Sequence, residues 1–124
     1  MTRRHGRPRF PRSVYGVGAE PDPRFTLANE RTFLAWIRTA LALVAAGVAL
    51  GALSLDVQPA LQVATAVLLL VLGAVVPVLA WFTWSDVERA LREDSPLPSS
   101  RAALPVAVGI AVAAVLLALG VLAA

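Results

Sequence analysis

Residues 26–39 read Thr26-Leu-Ala-Asn-Glu-Arg-Thr-Phe-Leu-Ala-Trp-Ile-Arg-Thr39, and the fold turns on where this stretch leaves water. Its first half is polar, carrying Asn29, Glu30, Arg31 and Thr32. Phe33, Trp36 and Ile37 then open an apolar run that holds Arg38. An arginine inside an apolar helix is costly in lipid, so it marks a functional or packing constraint.

Around that stretch the composition fixes the class. Of 124 residues, 58% are hydrophobic and 15% charged; a soluble domain is about a quarter charged. Uncharged runs cover residues 39–55, 57–85 and 102–124, and the first lengthens to 32–55 once Arg38 is admitted. Each supplies the ~20 helical residues that cross a bilayer core. The expected fold is therefore all-α and integral to a membrane. Its spans fall at about 32–55, 60–84 and 102–124, within a domain of residues 22–124.

The same inventory leaves little for catalysis. Without cysteine there is no disulfide, thiolate metal site or cysteine nucleophile. The one histidine, His5, has no ligand partner at a useful spacing, and without lysine there is no phosphate-binding P-loop. No catalytic residue, metal, cofactor or nucleic-acid partner is expected.

Residues 1–21 carry five arginines among prolines and glycines, a composition expected to be disordered in isolation. Thr2-Arg3-Arg4 resembles a twin-arginine signal, but the apolar run starts far downstream and two more spans follow, so no cleaved leader is expected. The tail reads either as a binder of anionic headgroups or as a topology signal. Asp22-Pro23 is a helix start, with Thr26 as a competing N-cap, and gives a lead-in over 23–32. Phe33 and Trp36 are expected at headgroup depth. Gly73 and Pro77 predict a kink in the second span. Beyond Trp84, Glu88–Arg92 and Arg89–Glu93 are i,i+4 pairs that would carry the helix into water until Ser95-Pro-Leu-Pro-Ser-Ser100 breaks it. All 11 basic residues are arginines, and none lies in the loop around Asp56 or in the last span. The positive-inside rule then places the N-terminus in the cytoplasm and the C-terminus outside.

The first helix carries two stripes. Arg24, Arg31 and Arg38 are spaced by seven, and so are Ala28, Ala35, Ala42 and Ala49. Each heptad step drifts only ~20°, so each set lies along one line, side by side on one face. Gly47 and Gly51 add a small-residue pair for close helix packing. Two arrangements fit. The arginine–alanine face lines the axis of a homo-oligomer and draws an anion to its mouth. Alternatively the arginines snorkel to lipid phosphates while the alanines pack against the second helix. Glu30, which cannot face its neighbour Arg31, pairs with another helix or subunit or stays in water, and Asn29 is a further polar contact candidate.

Leu27-Ala-Asn-Glu-Arg-Thr-Phe-Leu-Ala-Trp-Ile-Arg-Thr-Ala-Leu-Ala-Leu43 resembles the signature of the YidH-like family, classed as domain of unknown function 202. The three spans, the short outer loop and the charged second loop match as well, so the resemblance covers residues 20–124. It implies a bacterial inner-membrane, multi-pass protein. It also implies kinship with the membrane part of the eukaryotic vacuolar transporter chaperone, where five such domains ring a polyphosphate pore. In those relatives, basic residues matching Arg24 and Arg31 and a carboxylate matching Glu30 belong to the pore. Here Ser85 stands where they carry a further basic residue, Arg38 lies deeper, and no stretch reads as a polyphosphate-making domain. The expected roles are an oligomeric anion or polyphosphate translocation subunit, an accessory subunit packed on a partner membrane protein, or a protein acting on anionic lipid.

Overall fold

The computed structural model describes residues 8–124, which form a short helix and three long ones. They are α1 (Arg12–Tyr15), α2 (Pro23–Ala52), α3 (Pro59–Arg92) and α4 (Ala103–Leu122). The seven residues before them, including His5 and the twin arginines, lie outside the described residues.

The long helices start where local chemistry starts them. Asp22 caps α2, its carboxylate accepting from the Arg24 amide at 2.9 Å, with Pro23 at the first helical position. The Arg24 guanidinium bonds the same carboxylate and, with the amide, holds the Asp22 pKa below its ordinary value. The cap is therefore at full strength above the ordinary aspartate range and fades as pH falls through the depressed folded value. The lead-in and first span are one helix. Gln58 caps α3 through the Leu61 amide at 2.8 Å, and α3 runs without a break through Pro77 to Arg92. Past Glu93, Asp94 takes φ of 55° and the Ser95 amide returns to the Ala90 carbonyl at 2.9 Å, the bond that closes a Schellman end.

Length and aromatics place the helices in a bilayer. Phe33, Trp81 and Trp84 cluster, with ring centroids 5.2 to 6.5 Å apart. From Phe33 to the end of α2, and from the start of α3 to Trp81, the rise is ~30 Å, one hydrocarbon core. Trp36 is not part of this belt. It is half-buried against the core of Ala40, Leu43, Leu72, Val76 and Val106, because it lies on the α3-facing side of α2.

Helix α3 is the centre of a three-helix layer. Both α2 and α4 pack along it, and their backbones do not approach each other. The most apolar windows of α2, α3 and α4 are only 22%, 33% and 22% buried within the chain, so most of their surface faces lipid or another protein. Small residues permit the contacts. A Cβ at Gly73 would stand 2.5 Å from Val44 Cγ2 and 3.1 Å from the Ala40 carbonyl oxygen. A Cβ at Gly51 would find only Ala66 Cβ, at 3.8 Å. At the loop end, the Gln62 side-chain amide Nε2 donates to the Leu50 and Leu53 carbonyls at 2.7 and 2.9 Å and satisfies the open end of α2.

Gly73→Val should lower stability by about 1–3 kcal/mol through overpacking against α2, while Gly51→Ala should stay within ~0.5 kcal/mol of the parent. Thermal unfolding in detergent, followed by helical circular dichroism, measures both.

Candidate functional site

The two faces of α2 do different things. Arg31 and Ala40 are nine residues apart, which at ~100° each is two and a half turns. Ala40 is buried on α3, so Arg31 points directly away from it. Arg24, Arg31 and Arg38 are all exposed along this back face, and Ala28, Ala35, Ala42 and Ala49 are exposed beside them. These alanines do not contact α3. Of the small residues expected to pack helices, Gly47 is the one buried against α3: a Cβ there would meet Leu70 Cγ at 2.9 Å and the Ala66 carbonyl at 3.0 Å. Gly51 is exposed.

Arg24 bonds Asp22, its Nη2 donating at 2.8 Å. Arg31, Arg38 and Glu30 are exposed and make no side-chain hydrogen bond or ion pair among the described residues. The back face thus offers free cationic groups above a lane of methyl-sized side chains. Arg38 lies five residues past Phe33, ~7.5 Å deeper than the aromatic belt.

Asn29, one residue before Glu30, faces the opposite way. Its Nδ2 donates to Glu88 Oε1 and to the Trp84 carbonyl, each at 3.1 Å. Thr26 Oγ1 donates to Glu88 Oε2 at the long distance of 3.4 Å. Glu88 is 1% exposed and Asn29 8%. Four residues past Trp84 and four before Phe33, this cluster stands ~6 Å beyond the belt, at the end of the helices that leaves the hydrocarbon.

The expected Glu88–Arg92 pair does not form. Glu88 turns to α2, and Arg92 turns to the segment before α2 because unpaired backbone carbonyls wait there. Its Nε donates to the Val17 carbonyl at 2.8 Å, Nη2 to the Tyr15 carbonyl at 3.1 Å and Nη1 to Glu20 at 3.1 Å. The Arg89–Glu93 pair is present at 3.4 Å. Residues 8–21 are thereby folded onto the end of α3 as a strap. Val14 is 1% exposed, and the Ala19 amide donates to the Arg92 carbonyl at 3.0 Å. Gly18, at φ of 59°, is where backbone meets backbone, since any Cβ there would overlap the Arg92 carbonyl. Residues 8–21, whose composition predicts no order in isolation, are docked here on the end of α3. On the other side of α3, Arg101 ties α4 down, its Nη2 donating to Asp86 at 2.6 Å and its amide to Thr83 Oγ1 at 3.2 Å.

The strap and the ends of α2 and α3 leave an open cleft of about 380 Å³ lined in part by Glu20, Asp22, Phe25, Leu91, Asp94 and Leu97. Among the described residues no three His, Cys, Asp or Glu side chains are grouped to hold a metal.

Comparison with known proteins places these features. Residues 24–90 match the family described as Domain of unknown function (DUF202). The match contains both ends of the Asn29–Glu88 bridge and the whole arginine stripe, and leaves out the strap and α4. The chain is 47% identical over 98 residues to an uncharacterized protein of Mycobacterium tuberculosis, covering 77% of this chain and 80% of that one. It is 41% identical over 101 residues to the inner membrane protein YidH of Escherichia coli, covering 81% of this chain and 88% of that protein. No solved structure matches. With three apolar helices of its own, the chain is a multi-pass inner-membrane protein.

Asn29→Ala removes the donor shared by Glu88 and the Trp84 carbonyl and should cost about 1–3 kcal/mol. Combined with Glu88→Ala it should cost less than the two single changes added, by ~0.5 kcal/mol or more, as groups in one network do. Unfolding of the four proteins in a double-mutant cycle measures the coupling.

Proposed function

The chain belongs to the DUF202 family, and from that premise we propose that it is a non-enzymatic subunit of a homo-oligomer whose α2 back faces surround a path for an anion. Arg24, Arg31 and Arg38 are its basic entrance, and Ala28, Ala35, Ala42 and Ala49 are its narrow wall. A phosphate polymer is the substrate class that the YidH-like resemblance to the vacuolar transporter chaperone brings forward. The observation that carries the reading is the outward direction of this face. α3 covers the opposite side of α2, and among the described residues these arginines meet no acid except Asp22 at the first turn.

The physical case rests on two costs. Three helices in an open layer cannot enclose a pore, so a path requires further copies. Arg38 below the belt needs water, a headgroup or an anion, because an uncompensated charge in the hydrocarbon is costly. A ring of α2 helices would supply water and an anion together, and rings of guanidinium spaced by ~10 Å would stagger the attraction along the path. Glu30, exposed next to this face, is then the acid positioned for an arginine of the neighbouring copy. In this reading, which follows the positive-inside rule, the strap and the α3–α4 loop are cytoplasmic and the Asp56 loop and the end of α4 are outside.

Anion flux into liposomes, wild type against Arg31→Ala combined with Arg38→Ala, tests the path, with subunit mass measured in parallel. The expected result is anion-selective flux from an oligomer that falls at least tenfold in the double variant with assembly intact. A folded protein that conducts no chloride, phosphate or polyphosphate at any applied voltage overturns the reading. It would assign the chain to an accessory subunit packed on a partner membrane protein.

A further inference from the structure

The strap has an inner side, which docks on α3, and an outer side that docking leaves unused. Phe10 is 82% exposed, yet it stacks on Trp81 with centroids 6.3 Å apart and planes 25° apart. Trp81 belongs to the aromatic belt at the edge of the hydrocarbon, so Phe10 is held at that same depth with its other face open. Arg12, two residues on, is exposed and its side chain has no partner among the described residues. Arg9 remains 50% exposed while it pairs with Glu20 and lies 4.3 Å over the Tyr15 ring. A phenylalanine at the acyl boundary flanked by guanidiniums at headgroup height is the pattern of an interfacial anchor.

We infer that the outer side of the strap is an anionic-phospholipid site. Phe10 enters the acyl edge beside Trp81, and Arg12, assisted by Arg9, takes the phosphate of an anionic headgroup. The docking contacts make this a built surface. Val14, Gly18 and the three acceptors of Arg92 fix the strap before any lipid arrives, so little ordering opposes binding. The leaflet chemistry is complementary, because the basic residues among the described ones lie at this end of the helices or in the first turns below it. The site is separate from the α2 back face, and a chain that conducts nothing would carry it equally.

The test adds phosphatidylglycerol or phosphatidylcholine to the full chain in detergent and counts retained lipids by native mass spectrometry. Wild type should retain phosphatidylglycerol in preference, and Arg12→Gln should weaken that binding about fivefold, the worth of one arginine at an anionic surface. Arg89→Gln removes the same charge at the same end, where the side chain pairs with Glu93 rather than with the strap, and should leave retention unchanged. Because the chain has no cysteine, Ser13→Cys accepts an environment-sensitive fluorophore on the strap. Its emission in nanodiscs should shift to the blue when phosphatidylglycerol is present, and back on Phe10→Ala. Equal losses in Arg12→Gln and Arg89→Gln, equal retention of the two lipids, or a label in water in both nanodiscs would overturn the site. So would soluble polyphosphate displacing the lipid in wild type, since the strap would then read a dissolved polyanion.

Discussion

The bond from Asn29 to Glu88 and the Trp84 carbonyl decides which way α2 faces. α2 touches only α3 among the long helices, so no third surface corrects its rotation. The apolar contacts along α2, closest at Ala40 and Gly47, favour the same rotation and tolerate only small adjustments of side chains such as Leu70. A primary amide meeting a carboxyl and a carbonyl at 3.1 Å tolerates much less. Turning α2 by one residue, ~100°, would withdraw the amide and leave a buried carboxyl and a backbone carbonyl to lose solvation without a partner. With that contact made, Arg31 is on the far side. The direction of the arginine stripe is therefore a consequence of one polar contact on the opposite face.

The location of that contact matters to its strength. In the hydrocarbon, unfolded-in-membrane alternatives also find polar partners, and inter-helix hydrogen bonds average well under ~1 kcal/mol. In bulk water both groups would be hydrated and the exchange close to neutral. Asn29 and Glu88 are beyond the belt yet screened from water by Thr26, Trp84 and the helices themselves. Such a site combines a low local polarity with a separated state that is hydrated, so misalignment is penalised there more than at either neighbouring depth.

Much of the frame was legible in the chain because it is written in local patterns. Three uncharged runs gave the spans, Asp22-Pro23 gave the start of α2, and heptad spacing put the arginines and alanines on one face. What escaped is tertiary. Glu88 and Arg92 satisfy the i,i+4 rule, and nothing within one helix reveals that each has a better partner 59 or more residues away. Asn29 could be named as a polar contact but not given Glu88. Trp36 fits an interfacial pattern by position in the run, and only the direction of its face sends it to the core instead. The strap is the clearest case. Its composition cannot build a core, but it needs none, since the end of α3 presents a buried guanidinium and an open carbonyl that match its backbone.

Arg38 shows how these scales meet. Its position is set by sequence, its direction by the Asn29 contact, and its depth by the belt of Phe33, Trp81 and Trp84. Among the described residues it has no acid, and one turn either side lie Ala35 and Ala42 on one flank and the exposed Leu34 and Leu41 on the other. An arginine side chain reaches ~6 Å, close to the ~7.5 Å separating it from the belt, so a single copy in lipid can bring the guanidinium up to the headgroups only by extending fully along the helix. That extended state would lay the side chain along Leu34 and Ala35 in one fixed set of rotamers, so reaching the headgroups conflicts with side-chain freedom. A second copy removes the conflict, because water or an anion between facing helices can meet Arg38 at its own depth. The absence of bulk at Ala35 and Ala42 costs packing in a lone chain and costs nothing between copies, where it is the condition for close approach.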